Sequence, residues 1–581
     1  MLKDFPSSAI APLLLSSLLS VSTASAQLLP DNTLGPESSI VLPQGNRDLI
    51  EGGAIRDTAL FHSFLEFNVG NTQQVYFVNP FGIENIFTRV TGSNPSHILG
   101  TLGVLGNANL FLLNPNGILF GPNARLDLPG SFVATTADSL QIDPYDFSAT
   151  NPTAPPLLAL NVVPGIQYGT HHPNRVIRNE GNLSVGFGQT LSLRGGNISS
   201  SGNLSAPGGT IQLFGDRVEL LRMAKVDVSS TAGGGTILIG NGAVGSGQWA
   251  VGSGEIDIGS DVTLNADAIP IPLSPPSFQG GGSGGTVIVK SGTTRFEGQI
   301  SARGASSGGF VEVSGGNLQY NGTVDTSAAN GTMGTLLIDP QNILIQASGG
   351  TLSGLSIGLA LLSNNVTLQA NNDITVNDTI FGLGTNSLTL LAGRSVILAN
   401  NRNITLTGGD FIAKINDENA LAIEREPGIA QFVMNPGSSI LTSGGDILVT
   451  SGTFEPTSQI DIANGIFLTS NPLGDSGKIS LLALGNITTG LLTSGSVLGR
   501  GGDIEIESTN GAIATTRSLT TDSSFDSGNI SLAAAGNINV NENITARALL
   551  GVGGNISLVA GGDLSITAST FDPTLGNLVS T

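Results

Sequence analysis

The chain contains no cysteine among its 581 residues, so disulfides, thiol nucleophiles and cysteine-held zinc are excluded. Aromatic residues are also scarce, at 5%, although 39% of the chain is hydrophobic. A core must therefore be built mainly from Val, Ile, Leu and Ala. These residues suit thin, regular layers of β-structure, and their abundance argues against a disordered chain.

Charged residues make up only 11% of the chain, and the basic ones are outnumbered. With 22 Lys and Arg against 43 Asp and Glu, the formal net charge is −21. Nucleic acids and anionic membranes are bound through basic patches, so we expect neither as a partner. The balance indicates an acidic surface exposed to water.

Long apolar runs are missing too, and no transmembrane helix is predicted because none reaches about 18 residues. At the N-terminus, Lys3 precedes the apolar stretch Ile10–Val21, and Ala24-Ser25-Ala26 has the form of an A-x-A cleavage site. This order predicts a signal peptide at 1–26. It also predicts passage through the periplasm and a secreted or surface-associated location.

Clusters that would support catalysis or cofactor binding are absent as well. Phosphate-binding and dinucleotide-binding glycine motifs do not occur, and we expect no cofactor, no metal site and no enzymatic activity. The densest acidic group, Asp138, Asp143 and Asp146, is predicted to be a solvated loop. His171-His172 has no third ligand nearby in the sequence and is not expected to bind a metal.

Glycine is abundant, at 81 residues, and much of it belongs to a repeat. A Gly-x-Ile-x-Ile/Leu unit begins at Gly477, Gly502, Gly528 and Gly554, at intervals of 25, 26 and 26 residues. The alternation of apolar and polar residues within a unit is typical of a strand. The flanking glycines are typical of turns.

A coil of about 25 residues that repeats in this way predicts an all-β fold, a right-handed parallel β-helix. We expect an N-terminal capping region and several loop insertions. After the signal peptide, 27–165 is predicted to be the capped N-terminal domain, and 166–345 to continue the β-helix with a Pro/Gly-rich insertion near 269–285. Region 346–581 is predicted to consist of the regular repeats, for which truncation at residue 581 is one interpretation.

The most informative short motif is Asn114-Pro115-Asn116-Gly117-Ile118, which lies between two apolar stretches. Pro115 favours the first corner of a tight turn, and Asn116-Gly117 tolerates positive φ. A related string, Asn79-Pro80-Phe81-Gly82-Ile83, lies 35 residues earlier and is interpreted as a duplicate of the same strand–turn–strand element.

These strings belong to a series that resembles the secretion domain of filamentous-haemagglutinin-like exoproteins, the exported partners of two-partner secretion systems. The family often has Asn-Pro-Asn-Leu where this chain has the Asn79 string. A second block, 296–340, resembles β-helix repeats of the same exoproteins. The matching segments of the first series are Ile50–Ala54, Leu60–Val69, Val75–Ile83, Arg89–Gly92, Pro95–Gly100, Asn114–Ile118 and Gly130–Ala137.

The resemblance implies export through a dedicated outer-membrane β-barrel transporter whose periplasmic domains recognise the N-terminal domain. It also implies an adhesin or filament outside the cell, with a host or cell-surface glycan or protein as its ligand. Two roles stay open for the motif. Its asparagines hold a turn, or the motif contacts the transporter, with its flanking strands adding to a sheet edge of that partner.

Two other functions are compatible with a parallel β-helix. One is a polysaccharide-degrading enzyme, which would require a groove of clustered carboxylates with basic partners. The other is a stalk that presents an effector domain beyond residue 581.

Overall fold

The computed structural model describes residues 27–142, 145–156, 167–170, 173–241, 254–269, 282–421, 424–567, 571–572 and 578–580. The predicted signal peptide, Asp143, His171-His172 and most of the Pro/Gly-rich insertion lie outside these residues. Within them the chain is almost entirely β-strand.

The N-terminal part of the described chain forms a cap of antiparallel strands and then the first parallel coils. Its strands are β1 (Leu28–Pro30), β2 (Ser39–Gln44), β3 (Arg47–Gly52), β4 (Ala54–Arg56), β5 (Ala59–Phe67), β6 (Gln74–Val78), β7 (Asn85–Val90), β8 (Ser96–Ile98), β9 (Thr101–Leu105), β10 (Asn109–Leu113), β11 (Ile118–Phe120), β12 (Arg125–Asp127), β13 (Phe132–Thr135), β14 (Ser139–Ile142), β15 (Tyr145–Ser148), β16 (Gln167–Tyr168), β17 (Val176–Asn179) and β18 (Asn182–Ser184). In the cap, β1 pairs antiparallel with β5, and β2 with β3. From β5 to β7 and β10 the pairing is parallel and in register.

The middle coils typically contain one long strand and one short strand each. Their strands are β19 (Thr190–Ser200), β20 (Asn203–Ser205), β21 (Thr210–Leu220), β22 (Lys225–Asp227), β23 (Thr236–Gly240), β24 (Glu255–Ile258), β25 (Thr263–Asn265), β26 (Thr286–Phe296), β27 (Gln299–Ser301), β28 (Phe310–Tyr320), β29 (Thr323–Asp325), β30 (Thr335–Pro340) and β31 (Ile343–Ile345). The long strands join a 25-stranded sheet, the long sheet, and the short strands up to β29 join an 11-stranded sheet, the side sheet.

The C-terminal coils contain three short strands each, in three sheets. Their elements are α1 (Gly354–Ala360), β32 (Asn365–Ala370), β33 (Ile374–Val376), β34 (Ile380–Gly382), β35 (Leu388–Ala392), β36 (Val396–Leu398), β37 (Asn403–Leu406), β38 (Phe411–Ile415), β39 (Ala430–Met434), β40 (Ser439–Leu441), β41 (Ile447–Ser451), β42 (Ser458–Asp461), β43 (Ile466–Leu468), β44 (Ile479–Ala483), β45 (Ile487–Thr489), β46 (Leu491–Thr493), β47 (Ile504–Ser508), β48 (Ile513–Thr515), β49 (Leu519–Thr520), β50 (Ile530–Ala534), β51 (Ile538–Val540), β52 (Ile544–Thr545), β53 (Ile556–Ala560), β54 (Leu564–Ile566), β55 (Phe571–Asp572) and β56 (Leu578–Ser580). The long sheet continues here beside a 9-stranded and an 8-stranded sheet.

The predicted parallel β-helix is confirmed by the stacking of these coils. Ile479, Ile504, Ile530 and Ile556 from four successive repeats stand directly above one another in the long sheet. Inward-facing side chains form one continuous buried cluster from Ile50 to Leu558. Each coil therefore buries its apolar residues only by stacking on its neighbours, as in other solenoids.

The repeat glycines are required by the close approach of neighbouring coils rather than by turns. A Cβ added at Gly528 would lie 2.1 Å from the carbonyl oxygen of Gly502, and one at Gly554 would lie 1.9 Å from that of Gly528. Neither residue has positive φ. Backbone approaches backbone at this corner, and only glycine leaves room for it.

The Asp or Asn that follows many of these glycines links each coil to the next. Asp446 accepts a hydrogen bond from the backbone N–H of Lys478 (2.7 Å), and Asp503 accepts one from that of Asn529 (2.7 Å). Asn529 in turn accepts from Asn555 (2.9 Å). At the corner these backbone N–H groups need an acceptor, and the Asp and Asn side chains of the preceding coil supply it. This explains why Gly-Asp and Gly-Asn recur.

Helix α1 replaces one strand where the side sheet ends at β29 and the 8-stranded sheet begins at β34. It packs against both strands. The fully buried side chain of Asn364 covers the exposed edge of β29, because its amide donates to Val324 O (2.9 Å) and its oxygen accepts from Thr326 N–H (2.9 Å). No helix in the described part of the chain is long and apolar enough to cross a membrane.

Candidate functional site around the Asn114–Ile118 turn

The Asn114–Ile118 motif forms a buried turn between β10 and β11 of the long sheet. The N–H of Gly117 donates to the carbonyl of Asn114 (3.1 Å), which closes a four-residue turn with Pro115 at its first corner. Gly117 has φ +118°, whereas Asn116 stays at negative φ. Ile118 is 2% exposed and begins the next strand in the core.

Both asparagine side chains hold this turn and attach it to the preceding coil. Asn114, fully buried, accepts from Asn116 N–H (2.9 Å) and donates to Asn94 O (3.1 Å) and Ser96 Oγ (3.0 Å). Asn116 donates to Gly92 O (2.8 Å). Removing either amide would leave polar groups of this corner without partners, which costs about 1–3 kcal/mol for each buried group.

The strands that flank the motif have no free edge in the folded protein. β10 pairs with β7 on one side and β13 on the other, and β11 pairs with β8 and β17. The expectation that they add to a sheet edge of a partner is therefore wrong for the folded domain. In the side sheet, by contrast, β2 is an edge strand, with Ile40 and Leu42 exposed.

The earlier string, Asn79-Pro80-Phe81-Gly82-Ile83, occupies a different corner of the coil. It joins β6 of the side sheet to β7 of the long sheet, and its turn is closed by Ile83 N–H donating to Pro80 O (3.2 Å). Gly82 takes φ +87°, and Phe81 is fully exposed at the tip. The interpretation as a duplicated element is therefore wrong, because the Asn79 turn joins two different sheets whereas the Asn114 turn joins two strands of the long sheet.

The outer face of the long sheet beside the motif carries a second apolar core. Phe61, Phe87 and Phe111 stack in register, with ring centroids 5.3 and 4.7 Å apart. The antiparallel pair β14–β15 covers them, and Phe147 packs against Phe61 at 5.1 Å. The early coils are thus apolar on both faces, which is why their strands read as nearly unbroken hydrophobic runs.

The covering strands lie in the segment predicted to be a solvated loop, and that prediction is wrong. Asp138 is half-buried and Asp146 exposed, but Leu140, Tyr145 and Phe147 of the same segment are buried. The alternation of apolar and polar residues from 139 to 148 was the signal for a strand pair. The three aspartates in the same segment indicated a solvated loop instead.

Arg89 joins the cap, the coils and this covering pair, and the sequence did not single it out as functional. Its side chain is fully buried and donates to Ser63 Oγ (2.9 Å), Thr33 Oγ1 (2.8 Å), Ser148 O (3.0 Å) and Thr153 O (3.0 Å). Its guanidinium lies 4.6 Å from the centre of the Phe147 ring. Burial lowers the pKa of Arg89 from its ordinary value, yet that value is so high that the group stays charged.

Asp31 supplies the nearby negative charge. Burial raises the pKa of its carboxyl, but hydrogen bonds from Thr33, Thr91 and Ser63 outweigh that effect and hold the pKa below its usual value. The Asp31 and Arg89 charges are bridged by hydroxyls of Thr33 and Ser63 rather than by direct contact. This network fixes the cap to the first coils.

His62 points into the apolar interior of the first coil, between Leu60 and Phe64. It is fully buried, its Nδ1 lies 3.1 Å from Ser39 Oγ, and burial lowers its pKa to about 3. Between that value and about 6.5 only the unfolded chain binds the proton, so stability is full above pH 6.5 and is lost as pH falls. We expect a loss of about 2 kcal/mol by pH 5.

Urea unfolding of a protein comprising residues 27–581 at pH 7 and pH 5 measures this effect. His62→Gln should reduce the difference between the two pH values, because glutamine does not titrate. Asn123→Ala, which changes an exposed asparagine of the same domain, should leave the difference as in the wild type. Equal pH dependence in wild type and His62→Gln would contradict the assignment.

A surface groove of about 510 Å³ lies beside the motif turn. It is lined by Glu66, Asn94, Pro95 and His97, among others, and Asn94 is also the residue whose carbonyl receives the Asn114 amide. The exposed surface nearest the motif thus belongs to the preceding coil. The motif supports the residues of this surface from beneath and itself exposes little area to solvent.

In the middle coils, two partly buried carboxylates share one basic partner. Lys290 Nζ lies 2.9 Å from Glu312 Oε1 and 3.4 Å from Asp339 Oδ2, and burial raises the pKa of Asp339 to about 6. Among the residues described, no three His, Asp or Glu side chains are grouped to hold a metal ion. The metal question for His171-His172 lies outside the described residues.

Comparison with known proteins finds similarity in the region that contains the motif. The family model described as the TPS secretion domain, where TPS stands for two-partner secretion, matches residues 26–270. A heme/hemopexin-binding protein of Haemophilus influenzae (strain Rd) is 31% identical over 135 residues, 22% of this chain and 14% of that protein. The match thus spans about one seventh of that relative's length. The crystal structure of the HMW1 secretion domain from Haemophilus influenzae aligns with 18% identity and a TM-score of 0.36, covering 80% of this chain and 95% of that one.

Proposed function

We propose that this chain is an exoprotein of the two-partner secretion type and is exported through an outer-membrane β-barrel transporter, since the TPS secretion domain model matches residues 26–270. Outside the cell it acts as an adhesin or filament, released or held at the surface. The periplasmic domains of the transporter recognise the N-terminal domain. The observation that carries this proposal is the secretion domain itself.

Burial of the motif supports recognition before folding. The side chains of Asn114 and Ile118 are inaccessible once the coils have stacked, so a transporter reads them only in an unfolded chain. In the folded domain the same residues form a turn in the first coils. Each coil that folds outside adds stacking energy and opposes return of the chain through the pore, because a solenoid grows by nearest-neighbour contacts.

Secretion from a diderm bacterial host tests the proposal. Release into the medium is compared with and without a cognate transporter, for wild type, Asn116→Ala and Asn123→Ala. Asn123 is a surface asparagine of the same domain whose amide bonds only to Asn71. We expect release only with the transporter, normal release of Asn123→Ala and several-fold lower release of Asn116→Ala. Release that is independent of the transporter would overturn the proposal.

A stability-matched variant separates the two roles of the motif. Val104→Ala removes buried side-chain volume from β9, away from the motif, at a cost of about 2 kcal/mol. If Asn116→Ala and Val104→Ala lose stability and release to the same extent, the motif acts through its turn. If Asn116→Ala is released far less at equal stability, the motif is read by the transporter.

Adhesion is tested separately from export. Cells that secrete the chain are compared with transporter-only cells for attachment to host cells, glycan arrays and abiotic surfaces. We expect a gain in attachment that depends on secretion. Export without any gain would remove the adhesin role and leave the secretion role intact.

The enzymatic alternative has its best support in the Lys290, Glu312 and Asp339 cluster, since polysaccharide-degrading β-helices use such groups. We favour a structural ion pair, because the lysine binds both carboxylates. An assay for depolymerised products on a panel of acidic and neutral polysaccharides distinguishes the two. Activity that is lost in Asp339→Asn would establish the enzyme.

A further inference from the structure

An exposed apolar ridge runs along one corner of the C-terminal coils. It is formed by the loops that lead from the third strand of each coil back to the long sheet, and its members are 46–83% exposed. The residues of this ridge are Leu473, Val497, Leu498, Phe525, Leu549, Leu550 and Val552.

The loops that carry the ridge are stacked in register like the strands. Ser524 N–H donates to Ser496 O (3.1 Å), and Leu550 N–H donates to Ser524 O (2.8 Å). Side chains reinforce the stack, since Asp526 Oδ1 accepts from Val552 N–H (3.0 Å). The apolar side chains therefore repeat at the coil spacing of about 4.8 Å and form a fixed column.

The ridge exposes more apolar surface than a solitary protein normally tolerates. Its seven side chains together expose on the order of 800 Å², whereas the largest apolar patch of a typical monomer is about 300–600 Å². Stable complexes bury about 800 Å² on each partner. The ridge is thus large enough to form one side of a specific interface.

Charges beside the ridge select the partner and its orientation. Asp475, Arg500 and Asp526 occupy equivalent positions in successive coils and are linked by Arg500 N–H donating to Asp475 (2.8 Å) and by the Arg500–Asp526 ion pair (3.5 Å). A second copy packed parallel would place each charge against its like. A second copy packed antiparallel, about an axis between the coils of Leu498 and Phe525, would place Arg500 against Asp526 twice.

We propose that two copies of this chain associate side by side through the ridge, in antiparallel orientation. The equal pitch of the two columns brings every coil of one ridge opposite a coil of the other. The two Arg500–Asp526 contacts between copies fix the register. This association is independent of how the chain is exported.

Sedimentation velocity of the mature chain tests the association. We expect a dimer with Kd at or below roughly 100 μM. Leu498→Lys/Leu550→Lys should weaken it by about 100-fold or more, since it places charges near the centre and at both ends of the interface. Phe187→Lys/Met223→Lys, which changes two exposed apolar residues far from the ridge, should leave it unchanged. A monomer at roughly 100 μM, or equal loss in both variants, would overturn the proposal.

Introduced cysteines test the orientation, because the natural chain has none. Leu473 and Leu550 lie three coils apart, ~14 Å along the rod, and disulfides require Cα atoms within about 7 Å. Mixing Leu473→Cys with Leu550→Cys protein under mild oxidation should give a heterodimeric disulfide, while each variant alone stays monomeric on denaturing gels. Cross-linking of each variant with itself, or of neither combination, would overturn the antiparallel arrangement.

Discussion

Replacing Gly528 with alanine is expected to lower the free energy of unfolding of the C-terminal coils by about 3 kcal/mol or more. The new Cβ would lie 2.1 Å from Gly502 O, 2.4 Å from Gly502 C and 2.8 Å from Asp503 N. All three atoms are backbone, so no side chain can rotate away to relieve the overlap. Relief requires separation of two coils, which breaks the hydrogen bonds of β47 with β50 that follow the corner.

Gly259→Ala is the matched control. A Cβ there meets only Leu220 O at 3.5 Å, an ordinary contact, and Gly259 has no positive φ. Its unfolding free energy should change by less than about 0.5 kcal/mol. Urea unfolding of residues 27–581, followed by hydrogen exchange of β47, β50 and β53, measures both variants. Native-like exchange in Gly528→Ala would contradict the close-approach explanation of the repeat.

Arg89→Met is expected to destabilise the N-terminal domain by about 3–5 kcal/mol. Methionine fills similar volume but leaves the carbonyls of Ser148 and Thr153 and the hydroxyls of Ser63 and Thr33 without their buried donor. The loss should be local. Hydrogen exchange should rise in β1 and in β14–β15, which Arg89 fastens to the coils, while β50 keeps its protection.

Two other arginine variants serve as comparisons for Arg89→Met. Arg89→Lys keeps the charge but cannot reach four acceptors with one ammonium, so its stability should be intermediate. Arg178→Met removes an arginine whose side chain is 57% exposed and paired with Glu180, and it should cost less than about 1 kcal/mol. Equal stability of Arg89→Met and wild type would show that the network is dispensable.

The repeated part of the fold was predictable because its signals are local and recur. The units at Gly477, Gly502, Gly528 and Gly554 predict the strands β44, β47, β50 and β53 closely. The reason for their glycines was not predictable, because it lies in the distance between coils. The sequence of a single coil is the same whether its glycine is needed for a turn or for the close approach of the next coil.

The N-terminal site was predicted less well, because its contacts join residues far apart in sequence. The turn at Asn114–Ile118 follows from its composition. The Asn79 string was interpreted wrongly, because similarity in sequence does not show which corner of a coil a turn occupies. Arg89 stood inside the string Arg89–Gly92, but nothing local shows that it would bind Thr33 on one side and Thr153 on the other.

The reach of Arg56 and Arg89 sets the order in which the domain can be completed. Arg89 binds carbonyls 59 and 64 residues further along the chain, and Arg56 binds Pro155 and Pro156, 99 and 100 residues further along. Contacts of such high contact order form late, since the intervening chain must first be closed into a loop. When folding proceeds from the N-terminus, about 130 residues must therefore be available before these arginine contacts can form and complete the first domain. In the export route proposed above, that length of chain has to stay unfolded until all of it has crossed the outer membrane.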